Sequence, residues 1–266
     1  MRKLESNPWM KAGIFGVFVL GLALLIFSGE HPDPAKYFLI GLLIFSTAVT
    51  QLWINHPDTF RRNSRVGLVF GVILFHLCVA KLVMVISTQS QGGLPKEFGV
   101  LLIPFALAPL ILSVLLGKNL GIYGAIFVSL WSSILFRGVD AFLLVMSLIS
   151  GFIAVFVTIQ VRRRSRLLRA GMYVGLATWI LAVSFGIITI PWLRLNDMDL
   201  SMFMRQSAAA ILTGVVTAMV VSGALPMLEA ALVSPRICRG LRWPTGIIRC
   251  CFGSVLRLPE PGITVT

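Results

Sequence analysis

Acid–base or metal chemistry needs several titratable side chains able to converge on one point, and this sequence offers few. Its three histidines are His31 and His56, each followed by proline, and His76, followed by Leu77. No histidine precedes an aspartate, and the P-loop, HExxH and Gly-x-Ser-x-Gly patterns do not occur. The four cysteines, Cys78, Cys238, Cys250 and Cys251, contain no CxxC spacing and indicate neither a disulfide framework nor a metal site. The adjacent pair Cys250-Cys251 in a basic stretch is compatible with palmitoylation. No catalytic, cofactor-binding or metal-ligating residue is assigned, and no cofactor is expected.

Two ionisable residues lie well inside an apolar run. His76 and Lys81 fall within the stretch Val66 to Ile86, and a lysine at mid-bilayer costs about 2.5 to 3.5 kcal/mol on the insertion scale, so such groups mark ion or substrate paths by default. Five residues apart, they point about 140° away from each other around a helix and cannot share one narrow site. Lys81 is close enough to the end of the run to extend its ammonium to the interface. No carboxylate lies well inside an apolar run, since Asp140 and Glu229 are both at edges, which disfavours proton-coupled transport.

These residues must be carried by membrane helices. Of 266 residues 57% are apolar and only 12% charged, against roughly a quarter charged in soluble domains. The fold class is therefore all-α, a polytopic membrane helix bundle of about eight transmembrane helices. The expected spans are Ala12 to Phe27, Tyr37 to Ile54, Val66 to Ile86, Phe98 to Leu116, Leu120 to Phe136, Ala141 to Val161, Ala170 to Ile190 and Gln206 to Leu225. The Gly-x-x-x-Gly periods Gly67/Gly71 and Gly117/Gly121 suit close helix contact. The excess of 23 Lys and Arg over 10 Asp and Glu sits in short loops, where it orients the protein rather than binding nucleic acid. With the N-terminus in the cytoplasm that side carries 17 basic residues and the other side 5, namely Lys36, Lys96, Arg137, Arg194 and Arg205. Both termini are thus expected in the cytoplasm.

The segment Gly223-Ala224-Leu225-Pro226-Met227-Leu228-Glu229 ends the last span. Glycine and proline loosen or kink a helix, and Glu229 is the first charge after Arg205, as where a helix leaves the bilayer towards a soluble domain.

From about Phe98 onward the chain resembles the membrane part of the bacterial seven-transmembrane receptors with an intracellular HD hydrolase domain. The resemblance is carried by Pro104 to Leu116 with the Gly117-Lys118-Asn119 turn, by Gly151 with the Arg162 to Arg169 cluster and Ala170-Gly171, and by the Ser222 to Glu229 exit. It covers about half the chain, and that family's layout of one leading helix plus seven equals the eight spans. The resemblance implies a membrane-anchoring and signalling module ahead of a metal-dependent HD phosphohydrolase, with cyclic di-AMP as the substrate of characterised members. Two departures stand out. The loop after the first helix has eight residues, Gly29 to Lys36, where many members carry a large extracytoplasmic domain, and the HD domain is missing, so the chain is expected not to be an enzyme.

The stretch Arg236 to Pro261, RICRGLRWPTGIIRCCFGSVLRLPEP, reads neither as a span nor as that domain. With permitted codon choices, the frame one base earlier spells TDMSWVEMADWNHPLLLRLGLEAPGT, which looks like the family's linker into the HD domain, so a frame shift just after Leu232 is expected. The domains are then 1-35, an N-terminal anchor helix and short loop; 36-232, a seven-helix transmembrane domain; and 233-266, a disordered or aberrant cytoplasmic tail. The partners are the lipid bilayer, a homo-oligomer and a separate HD-domain chain, and the location is the bacterial cytoplasmic (inner) membrane. The other class open to this composition is a small permease or channel, complete as it stands.

Overall fold

The computed structural model describes residues 8–29, 33–89, 96–136, 142–158, 164–188 and 200–232. Met1–Leu232 forms one compact unit, and the second unit, Val233–Thr266, lies outside the described residues together with the expectations placed on it. The described residues form helices and no strand. In chain order these are α1 (Pro8–Phe27), α2 (Pro34–Asn55), α3 (Pro57–Phe60), α4 (Asn63–Gln89), α5 (Lys96–Leu101), α6 (Leu107–Leu116), α7 (Lys118–Leu135), α8 (Phe142–Thr158), α9 (Arg164–Ser184) and α10 (Leu200–Leu232). Where water is absent every backbone polar group must be satisfied within the segment, so apolar runs of this length take up helix. Prolines stand at the first helical position of α2 and α3, where the missing N–H costs nothing.

Counting α5 and α6 as one interrupted passage, these helices make eight passes. Four segments are by themselves long and apolar enough to cross a membrane: Pro8–Phe27, Pro34–Asn55, Asn63–Ser87 and Met202–Pro226. The fourth expected span, Phe98 to Leu116, is not one helix. It breaks between Leu101 and Leu107 around Pro104, because proline lacks an N–H and disfavours helical geometry in the residue before it. The broken backbone is tolerated because Ile103, Phe105 and Ala106 are buried in protein.

The last helix departs from expectation in the opposite direction. It begins at Leu200, six residues before the expected start at Gln206, and runs through Gly223 and Pro226 to Leu232. Membrane helices accommodate proline more readily than soluble ones, so Pro226 lies inside the helix and does not end it.

Contacts fix the helix directions. Ile14 faces Gly67 and Gly21 faces Leu74, so α1 and α4 run parallel. Gly121 faces Val155 and Gly151 faces Ala125, so α7 and α8 run antiparallel. Tyr123 Oη donates to the Ala48 carbonyl at 2.9 Å and Trp131 Nε1 to the Gly41 carbonyl at 3.5 Å, pinning α7 antiparallel to α2. Phe15, Phe18, Phe45, Phe70 and Trp131 interlock with ring centroids 5.0 to 5.6 Å apart. Edge-on and tilted ring pairs of this kind add to what burial contributes, and here they join α1, α2, α4 and α7.

Candidate functional site

Basic residues gather at one end of the bundle. Lys11 Nζ lies 4.4 Å from the centre of the Phe60 ring, and Lys118 Nζ lies 5.2 Å from that of Phe156. Arg61, Arg62 and Arg65 follow α3 at the same end. The end of α2 and the turn between α6 and α7 meet there around a cleft of about 360 Å³, lined by His56, Asp58, Thr59, Lys118 and Asn119 among others. Gly117 makes this turn with φ of 100°, a conformation only glycine adopts at no steric cost. Lys36 and Arg205, both exposed, begin helices at the opposite end.

Inside the bundle the two intramembrane ionisable groups part company, as their spacing requires. His76 is 0% exposed, and neither ring nitrogen has a hydrogen-bond partner among the described residues. Its neighbours on one stripe of α4 are Ala80, Met84 and Ser87, and the outer part of that stripe meets Gly99 of α5. The histidine therefore lies on the stripe of α4 whose outer part meets α5, away from the stripe that meets α1 through Gly67, Phe70 and Leu74. Lys81 is half-buried and eight residues from the end of α4. Cys78 is an exposed free thiol.

A second polar seam lies between α7 and α8. The pairing of Gly121 with Val155 and Ala125 with Gly151 sets Ser129 level with Ser147. The Ser132, Ser147 and Ser150 hydroxyls along this seam are buried without a partner among the described residues, whereas Ser129 Oγ donates to the Ile126 carbonyl at 2.8 Å. These groups can bond water or a small polar ligand; no group of three His, Cys, Asp or Glu converges among the described residues.

Among the described glycines, the closest approach of one backbone to another joins α9 to α10. A Cβ on Gly171 would lie 2.7 Å from the Gly214 carbonyl oxygen, one on Gly175 2.7 Å from the Ile211 carbonyl oxygen, and one on Gly214 2.5 Å from the Gly175 Cα. Trp179 Nε1 adds a hydrogen bond to Ser207 Oγ at 2.9 Å. Backbones approach this closely only where side chains are absent. The Gly-x-x-x-Gly periods expected to do this were Gly67/Gly71 and Gly117/Gly121, and three of those four glycines do not. Gly71 and Gly117 have nothing within 4 Å of a Cβ, and Gly67 makes only ordinary contact with Ile14; Gly121 alone is tight, against Ser113 and Val155. The same spacing at Gly171/Gly175 makes the close contact instead.

A family model described as 7TM receptor with intracellular HD hydrolase matches residues 34–233. The chain belongs to this family. The match starts at the first residue of α2, so the seven passes from α2 to α10 are the family's membrane domain and α1 precedes it. It also reaches well upstream of Phe98, where the resemblance in the sequence becomes legible. No match was found among curated proteins or among solved structures. Within the 7TM-HD membrane domain, α10 is the last described helix, and it pairs closely with α9.

Proposed function

We propose that this chain is the membrane-anchoring and signal-transmitting part of a cyclic-dinucleotide phosphodiesterase of the 7TM-HD type, lying in the bacterial cytoplasmic membrane with its basic end towards the cytoplasm. The observation that carries this reading is the family match from α2 to Val233, joined to the unbroken course of α10 as far as Leu232. A helix that continues to Leu232 and is locked to its neighbour by glycine contacts can transmit displacement. The positive-inside bias supports the orientation, because Lys11, Arg61, Arg62, Arg65 and Lys118 collect at one end.

By itself the chain hydrolyses no cyclic dinucleotide in this reading. HD-type cleavage uses metal ions that activate water and neutralise developing charge, and the three histidines do not support such a site: His56 is at the bundle end and His76 inside it, while His31 falls outside the described residues. The alternative frame after Leu232 supports a hydrolase domain encoded downstream, joined to this module in an unshifted product or supplied as a separate chain, with self-association of the membrane part as a further means of regulation.

The test is to assay purified protein with manganese and cyclic di-AMP beside a version in which one base is restored after Leu232 and translation continues downstream. Activity only in the restored protein is expected. Hydrolysis by the unrestored chain would overturn the reading.

A further inference from the structure

We propose that the groove between α1 and α4 is a binding site for one anionic phospholipid, its acyl chain between the helices and its headgroup among Lys11, Arg61, Arg62 and Arg65. The groove has a volume of about 460 Å³ and is almost wholly apolar, lined by Met10, Gly13, Val17, Gly67, Gly71 and Leu74 among others. From Met10 to Val17 the helix rises about 11 Å, or roughly two-thirds of one leaflet of a 30 Å hydrocarbon core. It is open because the two helices touch through Ile14 on Gly67 and Leu74 on Gly21, while Gly13 and Gly71 have nothing within 4 Å of a Cβ. An empty apolar trough in a membrane is filled by whatever chain lies beside it, so the surrounding charge decides the occupant.

That charge is cationic. Ile14 is level with Gly67, so one turn back towards the basic end Lys11 is level with Ser64, beside Arg65 and against Phe60. Lys11, Arg61, Arg62 and Arg65 make no ion pair with a described residue, and Arg61 and Arg62 are exposed. Four cations with no ion-pair partner among the described residues, at the mouth of an apolar trough, match a phosphate headgroup on an acyl chain. A second copy of this chain would bring two such mouths together, since helices packed in the same orientation place their basic ends side by side. Like charges at that distance repel, which favours the lipid over self-association here.

The experiment is native mass spectrometry of the full chain, purified in detergent and offered an equal mixture of phosphatidylglycerol and phosphatidylcholine. One phosphatidylglycerol per chain is expected to survive delipidation that strips phosphatidylcholine. Gly13→Leu with Gly71→Leu fills the trough where a Cβ meets no atom, and it should abolish the bound lipid. Arg61→Gln, Arg62→Gln and Arg65→Gln are exposed or half-exposed changes that keep the trough, and each should reduce the preference for phosphatidylglycerol by about fivefold. Gly16→Leu, also open but outside the trough, should change nothing. Equal retention of both lipids, or undiminished phosphatidylglycerol in the filled variant, would overturn the proposal. A dimer in the same spectra that the filled variant disperses would overturn it in favour of a second copy.

Discussion

Gly175 and Ile211 are in backbone contact: a Cβ on Gly175 would sit 2.7 Å from the Ile211 carbonyl oxygen and 3.1 Å from its Cα. Nothing flexible can move aside, because the obstructing atoms are main chain. Replacing Gly175 by leucine therefore must separate α9 from α10. We expect a loss of more than the about 1 to 3 kcal/mol typical of overpacking, read as a lower midpoint of unfolding in detergent. Gly223→Leu on α10, with nothing within 4 Å of its Cβ, should leave the midpoint unchanged. Equal effects from the two substitutions would refute close packing here.

Tyr123 and Trp131 tie α7 to α2 through carbonyls 75 and 90 residues away in sequence. Hydrogen bonds between membrane helices average only about 0.6 kcal/mol, so Tyr123→Phe should cost that order and preserve the fold. Trp131→Ala should cost several times more, since Trp131 is among the largest fully buried side chains and packs on Phe18 and Phe127. A double substitution no worse than Trp131→Ala alone would show that the two bonds are not independent.

His76 gives a prediction of the opposite sign. Two unpartnered ring nitrogens in an apolar interior carry a desolvation penalty that an apolar side chain of similar size does not. His76→Leu should leave stability unchanged or raise it by about 1 kcal/mol, while His76→Ala should lower it by leaving a cavity. Loss of stability in the leucine variant would show that the ring has a partner in the working protein, such as a bound water.

The orientation is tested by reporters. A fusion after Leu232 should be active with a reporter that works only in the cytoplasm, and one within the turn between α1 and α2 only with a periplasmic reporter. A periplasmic signal after Leu232 would mean that the interrupted pair α5/α6 does not complete a crossing.

The sequence by itself determined the class of the molecule and the places of its helices. Apolar runs of about twenty residues admit one backbone solution in lipid, so an all-α bundle followed from composition, and seven of the eight expected spans appear as single helices, five with ends within four residues of expectation and the last two, α9 and α10, with ends six or seven residues away. Local chemistry also sufficed for the tight turn at Gly117 and for the separation of His76 from Lys81, because both depend on neighbours along the chain. Tertiary structure decided the rest. Pro104 breaks its helix and Pro226 does not, though both are prolines in apolar runs, because burial around Ile103 and Phe105 shelters the free backbone at the first site. Which Gly-x-x-x-Gly becomes a contact is equally a matter of partners. Gly171/Gly175 meets Gly214 across two antiparallel helices, whereas Gly67/Gly71 opens onto a groove, and the spacing of glycines along one helix holds no information about what the facing helix presents.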